Sequence, residues 1–160
     1  MSSFRKGHQY SNELAEVLVT TQPVASTGWT TTAQTFNIVP TVAGKRFRVL
    51  EVGYTVTAAG TNALDADAFD FGIIGSTSAF VDAGGIPANP ALGTTISTSR
   101  GNANALAFRD AGVGNVDADG YPFLNTGEVL VVTPTGNVAS GPTVVFFARL
   151  APEINRDVDV

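Results

Sequence analysis

The stretch Gly44-Lys45-Arg46-Phe47-Arg48-Val49-Leu50-Glu51-Val52-Gly53-Tyr54-Thr55-Val56-Thr57 decides the fold class. It reads as one long β-strand whose apolar side changes parity partway along. Phe47 and Val49 point one way, and Leu50, Val52, Tyr54 and Val56 then carry the alternation on the neighbouring parity. Successive side chains of a strand leave on opposite faces, so an unbroken strand would send half of this set into water. One extra residue near Val49-Leu50, a β-bulge, lets both halves face a single core and bends the strand. The window therefore predicts a strongly curved all-β domain. It carries no chemistry of its own.

Upstream, Leu14 to Thr20 is compatible with a strand or a short helical turn capped by Ser11 or Asn12, and the β-branched run Val17 to Thr21 favours the strand. Pro23 ends it. Trp29 to Val39 forms a second strand region, with Phe36 and Ile38 on one parity. Downstream, Phe69, Phe71 and Ile73 mark the apolar side of a strand over 69–74. Glu128 to Thr133 and Thr143 to Leu150 are the two strongest strands after the bent one. The first of these is almost continuously apolar, as a strand covered on both faces requires.

Between Ala83 and Asn125 the period dissolves, punctuated by Gly84, Gly85, Pro87, Pro90, Gly93, Gly101, Gly112, Gly114 and Gly120. A structureless run of about forty residues is unusual inside a compact domain, so it is either a functional loop or a set of weak strands. Strong strands at both chain ends flanking a weak middle point to an antiparallel β-sandwich of jelly-roll type, in which early strands pair with late ones. An immunoglobulin-like sandwich is the alternative, and its Cys-Trp-Cys framework is missing. The domain organisation is a polar N-terminal arm over 1–13, a sandwich over 14–151, and an exposed acidic tail over 152–160.

The composition narrows the function classes. Only 14% of residues are charged and the net charge is −5, so few charges need to be desolvated when this surface meets protein. Nucleic-acid binders carry a basic stripe, whereas the nine basic residues here are scattered, which excludes nucleic acid as the expected partner. There is no cysteine, hence no disulfide staple and no thiolate metal site. No stretch approaches the roughly eighteen apolar residues of a membrane span. No secretory leader and no Asn-x-Ser/Thr sequon is present, and a protein made in the cytoplasm is expected.

Catalysis has little to work with. His8 is the sole histidine and has no Ser or Asp arrangement around it, no Gly-x-Ser-x-Gly elbow occurs, and Gly112-Val113-Gly114 lacks the third glycine of a dinucleotide loop. The expectation is a protein that is not an enzyme and carries no cofactor. Asp65-Ala66-Asp67-Ala68-Phe69-Asp70 and Asp117-Ala118-Asp119-Gly120 set alternating carboxylates beside loops. Ca²⁺ takes about six to eight oxygens, and neither run has the full spacing or a distal Glu. No metal is therefore expected, with Asp117 and Asp119 as the pair to test first. Trp29 and Tyr121 are the two aromatics that an alternative reading, a carbohydrate-binding module of a phage fibre or surface assembly, would expose as a sugar platform.

The arm Ser2-Ser-Phe-Arg-Lys-Gly-His-Gln-Tyr10, the strand Val42-Ala-Gly-Lys-Arg-Phe-Arg-Val-Leu50 and the acidic tail after Pro152 resemble the small capsid decoration, or cement, proteins of tailed bacteriophages. The resemblance is one of size, layout and composition over most of the chain. It implies a jelly-roll-like homotrimer on the outer surface of the virion capsid, clamping neighbouring subunits of the major capsid protein. It places capsid binding on Phe4, Arg5, Lys6 and Tyr10, because an arm that orders on binding reaches across a subunit boundary. Trp29, Phe80, Phe108 and Phe123 flank weakly patterned segments and are expected in the oligomer interface.

Overall fold

The computed structural model describes residues 16–25, 34–36, 46–61, 64–86, 89–99, 106–108, 121–134 and 141–153. Among the described residues ten strands follow one another: β1 (Val17–Thr20), β2 (Val24–Ala25), β3 (Gln34–Thr35), β4 (Arg46–Ala58), β5 (Leu64–Ile73), β6 (Ser76–Ile86), β7 (Thr95–Ser97), β8 (Phe123–Leu124), β9 (Leu130–Pro134) and β10 (Thr143–Glu153). They build two antiparallel sheets. In the six-stranded sheet, β1 and β2 lie end to end along one edge of β10, β10 pairs with β4, and β7 and β8 divide the far edge of β4 between them. The four-stranded sheet runs β3-β9-β5-β6.

With β1/β2 and β7/β8 each taken as one position, the chain visits the first sheet in the order 1-8-3-6 and the second in the order 2-7-4-5. Every connection except the β5–β6 hairpin then changes sheet. This is the winding of a jelly roll, and it brings the first strand beside the last as the sequence leads one to expect. An immunoglobulin sandwich would keep its first two strands in one sheet. Here the first two positions, β1/β2 counted as one and β3, lie in different sheets.

The parity change in β4 is a bulge at Leu50. Along β10, Val144, Phe146, Ala148 and Leu150 point inward and are buried without interruption. Strand β4 meets them with Val56, Tyr54, Val52 and Val49 in turn. The register passes from Glu51 opposite Arg149 to Val49 opposite Leu150, so Leu50 is the unpaired residue. Val49 and the Val52, Tyr54, Val56 set thereby reach one core from two parities.

That core is aromatic at its centre. Phe146 of β10 meets Phe69 at 5.1 Å, Phe71 at 5.7 Å and Tyr54 at 6.4 Å between ring centroids, each edge to face. Phe36, next to β3, stacks on Phe71 at 6.2 Å. Leu130, Val131 and Val132 of β9 are all wholly buried, so both faces of this strand are covered, as its continuous apolar run requires.

The weak middle resolves in part into strands. β6 continues to Ile86, β7 and β8 have three and two residues, and Leu106 is buried in the core. Strands this short show no period, and each borrows only part of the edge of β4. Strand β10 also runs past Pro152 to Glu153, two residues beyond the expected limit of the domain. Val17 already lies opposite Leu150, so β1 has ended by then and the missing N–H of Pro152 costs no ladder bond on that side.

Tyr54 is fully buried and donates its hydroxyl to the Gly85 carbonyl of β6 at 3.3 Å, a polar tie between the two sheets. Burial pushes this hydroxyl well above the ordinary tyrosine value. In the unfolded chain it releases its proton near pH 10, so above that pH the unfolded state binds fewer protons and stability falls as pH rises. Thermal midpoints should accordingly hold to about pH 10 and decline above it. Tyr54→Phe should lose about 1 kcal/mol at neutral pH yet decline less steeply in alkali. An identical alkaline slope in both proteins would refute this.

Candidate functional site

The outer face of the six-stranded sheet concentrates the polar and aromatic groups that the core leaves over. Cross-strand pairing fixes which side chains share it. Arg149 lies opposite Glu51 and Leu18, Phe147 opposite Gly53 and Thr20, and Arg48 opposite Ala151 and Phe123.

At the end of the sheet where β4 begins, the guanidinium of Arg46 lies 3.6 Å from the centroid of the Phe123 ring. Arg48 lies 5.6 Å from that of Tyr121, and Phe108 packs its edge on Tyr121 at 6.3 Å. Each guanidinium thus lies over an aromatic ring, and both arginines stay partly exposed. Phe123 is therefore buried on the outward side of the sheet and stands outside the central core cluster.

In the middle of the face, Glu51 is a carboxylate inside an apolar strand, with only 10% of its side chain exposed. It accepts a hydrogen bond from Ser97 Oγ at 2.5 Å, and Arg149 Nε lies 3.5 Å from its other oxygen. The same Nε is 3.5 Å from Glu16 Oε2, one residue ahead of β1. Phe147 lies alongside over Gly53, where a β-carbon would fall 2.9 Å from the ring tip and 2.6 Å from Ser97 Cβ. Ser97 is wholly buried, so it serves Glu51 as a donor and has no path to a substrate.

The edge of β4 beside this cluster is closed by loops on either side of the gap between β7 and β8. Val49 N donates to Pro122 O at 2.8 Å, Val52 N donates to Thr98 Oγ1 at 3.2 Å, and Thr98 N returns a bond to Val52 O at 3.0 Å. The bulge in β4 thus sits between two short strands that pin its flanks.

The aromatic residues expected at a subunit interface divide. Phe80 belongs to the hydrophobic core and is 4% exposed, and Phe123 is equally buried beneath Arg46, so the chain itself covers both and they are withdrawn from that role. Phe108 is half-buried against the core and Tyr121. Tyr121 meets Phe108 and Arg48, so its ring is already engaged within the chain. Phe4, Arg5, Lys6, Tyr10, Trp29, Asp117 and Asp119 lie outside the described residues. Among the described residues no three His, Cys, Asp or Glu side chains gather as a metal site, and no helix is long and apolar enough to cross a membrane.

Glu51, Arg149, Ser97 and Glu16 are the residues that reading the sequence misses. Their signal is nevertheless present. Glu51 is the lone charge within 49–56 and Arg149 the lone charge within 143–150, two opposite charges each interrupting a strong strand on its outward parity. Such residues seek one another across a ladder.

Comparison of the chain with protein-family models, with curated proteins and with solved structures returned no match.

Proposed function

We propose that this protein is a structural component of a tailed-phage virion, a homotrimer that binds the outside of the head and stabilises contacts between major capsid subunits. The observation that carries the reading is that both terminal segments are rooted at one corner of the jelly roll. Val17 at the start of β1 lies opposite Leu150, and Glu153 at the end of β10 lies opposite Arg46. The start of β1 and the end of β10 therefore lie at the same end of one sheet. Phe4 stands thirteen residues before Val17, a reach of up to about 43 Å for extended chain. That is enough for Phe4, Arg5, Lys6 and Tyr10 to engage a capsid subunit beyond the one beneath the sandwich. The surface, low in charge, suits repeated contact with protein, and many weak contacts around a trimer add through their effective concentration.

Deletion of residues 1–12 tests the assignment. The truncated protein should keep the full-length far-ultraviolet spectrum and melt cooperatively. It should fail to co-sediment with expanded heads that the full-length chain saturates. Equal binding by both proteins would remove the segment from the interface, and no binding by the full-length chain would overturn the capsid assignment itself.

A further inference from the structure

We infer that Arg149 latches the root of the N-terminal segment to the sheet, and that β1 peels from β10 as far as Thr21 when the latch opens. The functional meaning of the latch rests on the proposal that residues 1–13 dock on a partner. Its existence rests on the geometry alone.

The two carboxylates that share Arg149 Nε are unequal. Glu51 is nine-tenths buried and held by Ser97, and a carboxylate so far from water requires a countercharge, which Arg149 supplies from directly across the ladder. Arg149 is therefore committed to Glu51. Glu16 has half of its side chain in solvent, so its pairing with the same Nε is weak and screened by salt. Arg149 holds one partner by necessity and the other conditionally.

Strand β1 is built to depend on the conditional one. It has four residues, Val17 and Val19 only half-buried, Leu18 and Thr20 exposed. Among the described residues, its ladder is with β10 alone. Its far end is fixed more firmly. Thr21 is buried, its N–H donates to Phe146 O at 2.9 Å, and its Oγ1 accepts from Phe146 N at 3.2 Å. The hydroxyl thus replaces a backbone acceptor where the ladder breaks between β1 and β2. With a firm clamp at Thr21 and a weak one at Glu16, opening proceeds from the N-terminal end and stops at Thr21. Peeling lengthens the segment free to reach a neighbour by the four residues of β1 and uncovers the edge of β10 over Phe147–Leu150.

Hydrogen exchange followed by mass spectrometry on the full chain tests this without any partner. Glu16→Gln should speed exchange of the protected amides of Val17–Thr20 by about two- to fivefold, and leave β4 and the β10 amides that bond to β4 unchanged. Salt at 0.5 M should bring the parent chain to a similar rate and add nothing to Glu16→Gln. The double variant Glu51→Gln/Arg149→Met removes the buried charge together with its countercharge. It should stay folded and show the same fast β1, separating the latch from the need to neutralise Glu51. Unchanged exchange of β1 in Glu16→Gln, or acceleration spread evenly over the sheet, would overturn the latch. Fast β1 in Glu16→Gln beside normal head binding by the 1–12 deletion would keep the latch and discard the docking role.

Discussion

Deleting Gly53 is expected to unfold the protein, whereas deleting Leu50 is expected to leave it folded. Both residues lie in β4, three positions apart, and differ only in what their loss does to parity. Without Leu50, Val49 still faces Leu150 and Glu51 still faces Arg149, and the strand alternates without interruption from Phe47 to Val56. The cost is one half-buried leucine and some of the bend. Without Gly53, Val52 and Tyr54 become neighbours and cannot both point inward. If the bulge persists, the chain turns outward either Tyr54 and Val56 or Val52 and Val49, all at most 1% exposed in the native fold; if the bulge is lost instead, Val49 and Tyr54 keep their partners but Val52 turns outward and the Glu51 carboxylate enters the core. Each such side chain is worth about 1.5–3 kcal/mol in burial, and the cavities left behind add to this. The sum reaches the 5–15 kcal/mol or so that holds a typical domain together. Near-ultraviolet circular dichroism and a thermal melt distinguish the outcomes. A Leu50 deletion as unfolded as the Gly53 deletion would mean that the curvature itself, and not the parity it corrects, is indispensable.

That contrast also marks how far the fold is legible in the sequence. The bulge can be placed because two apolar periods of opposite parity meet inside one strand-length run with no turn residue between them. Phe69 and Phe71 of β5, and the unbroken Leu130-Val131-Val132 of β9, are legible for the same reason: burial on one face or two writes itself as period two or as continuity. Strands β7 and β8 are not legible. With three and two residues they owe their existence to the edge of β4, a neighbour that only the winding provides. Phe123 misleads in another way. It resembles a residue awaiting a partner subunit, and Arg46, opposite in charge logic to a core residue, covers it from the outside. The Glu51–Arg149 pair is hardest to foresee. Each residue alone is an anomaly in an apolar strand, and they become a pair only when β10, the last strand, is laid against β4. Residue chemistry gives the faces of the strands; chain topology gives the partners.

Gly84→Ala should be strongly destabilising, because it adds a methyl group where this core is already filled. Gly84 lies opposite Phe69 in the β5–β6 ladder, and a β-carbon there would fall 2.6 Å from Phe69 Cζ and closer still to Cε2. No left-handed backbone explains this glycine, since its φ is not among the positive ones. Space alone requires it. The ring has no retreat, being wholly buried with Tyr54, Phe71 and Phe146 at 5.7, 5.8 and 5.1 Å. Overpacking of a rigid site costs about 1–3 kcal/mol, and here the strain passes from Phe69 into three further rings. Denaturant unfolding should show a lower midpoint with an unchanged slope. The mechanism has a sharper check in a second substitution. Phe69→Leu removes Cε2 and Cζ, the two nearest of the three ring atoms that the new methyl would strike, so Gly84→Ala should cost less in that background than in the parent chain. The cycle should give a coupling of about 1 kcal/mol or more, with the double variant more stable than the two single losses predict. Simple additivity would show that β6 shifts its backbone to admit the methyl, and that the glycine is not there to make room for the ring.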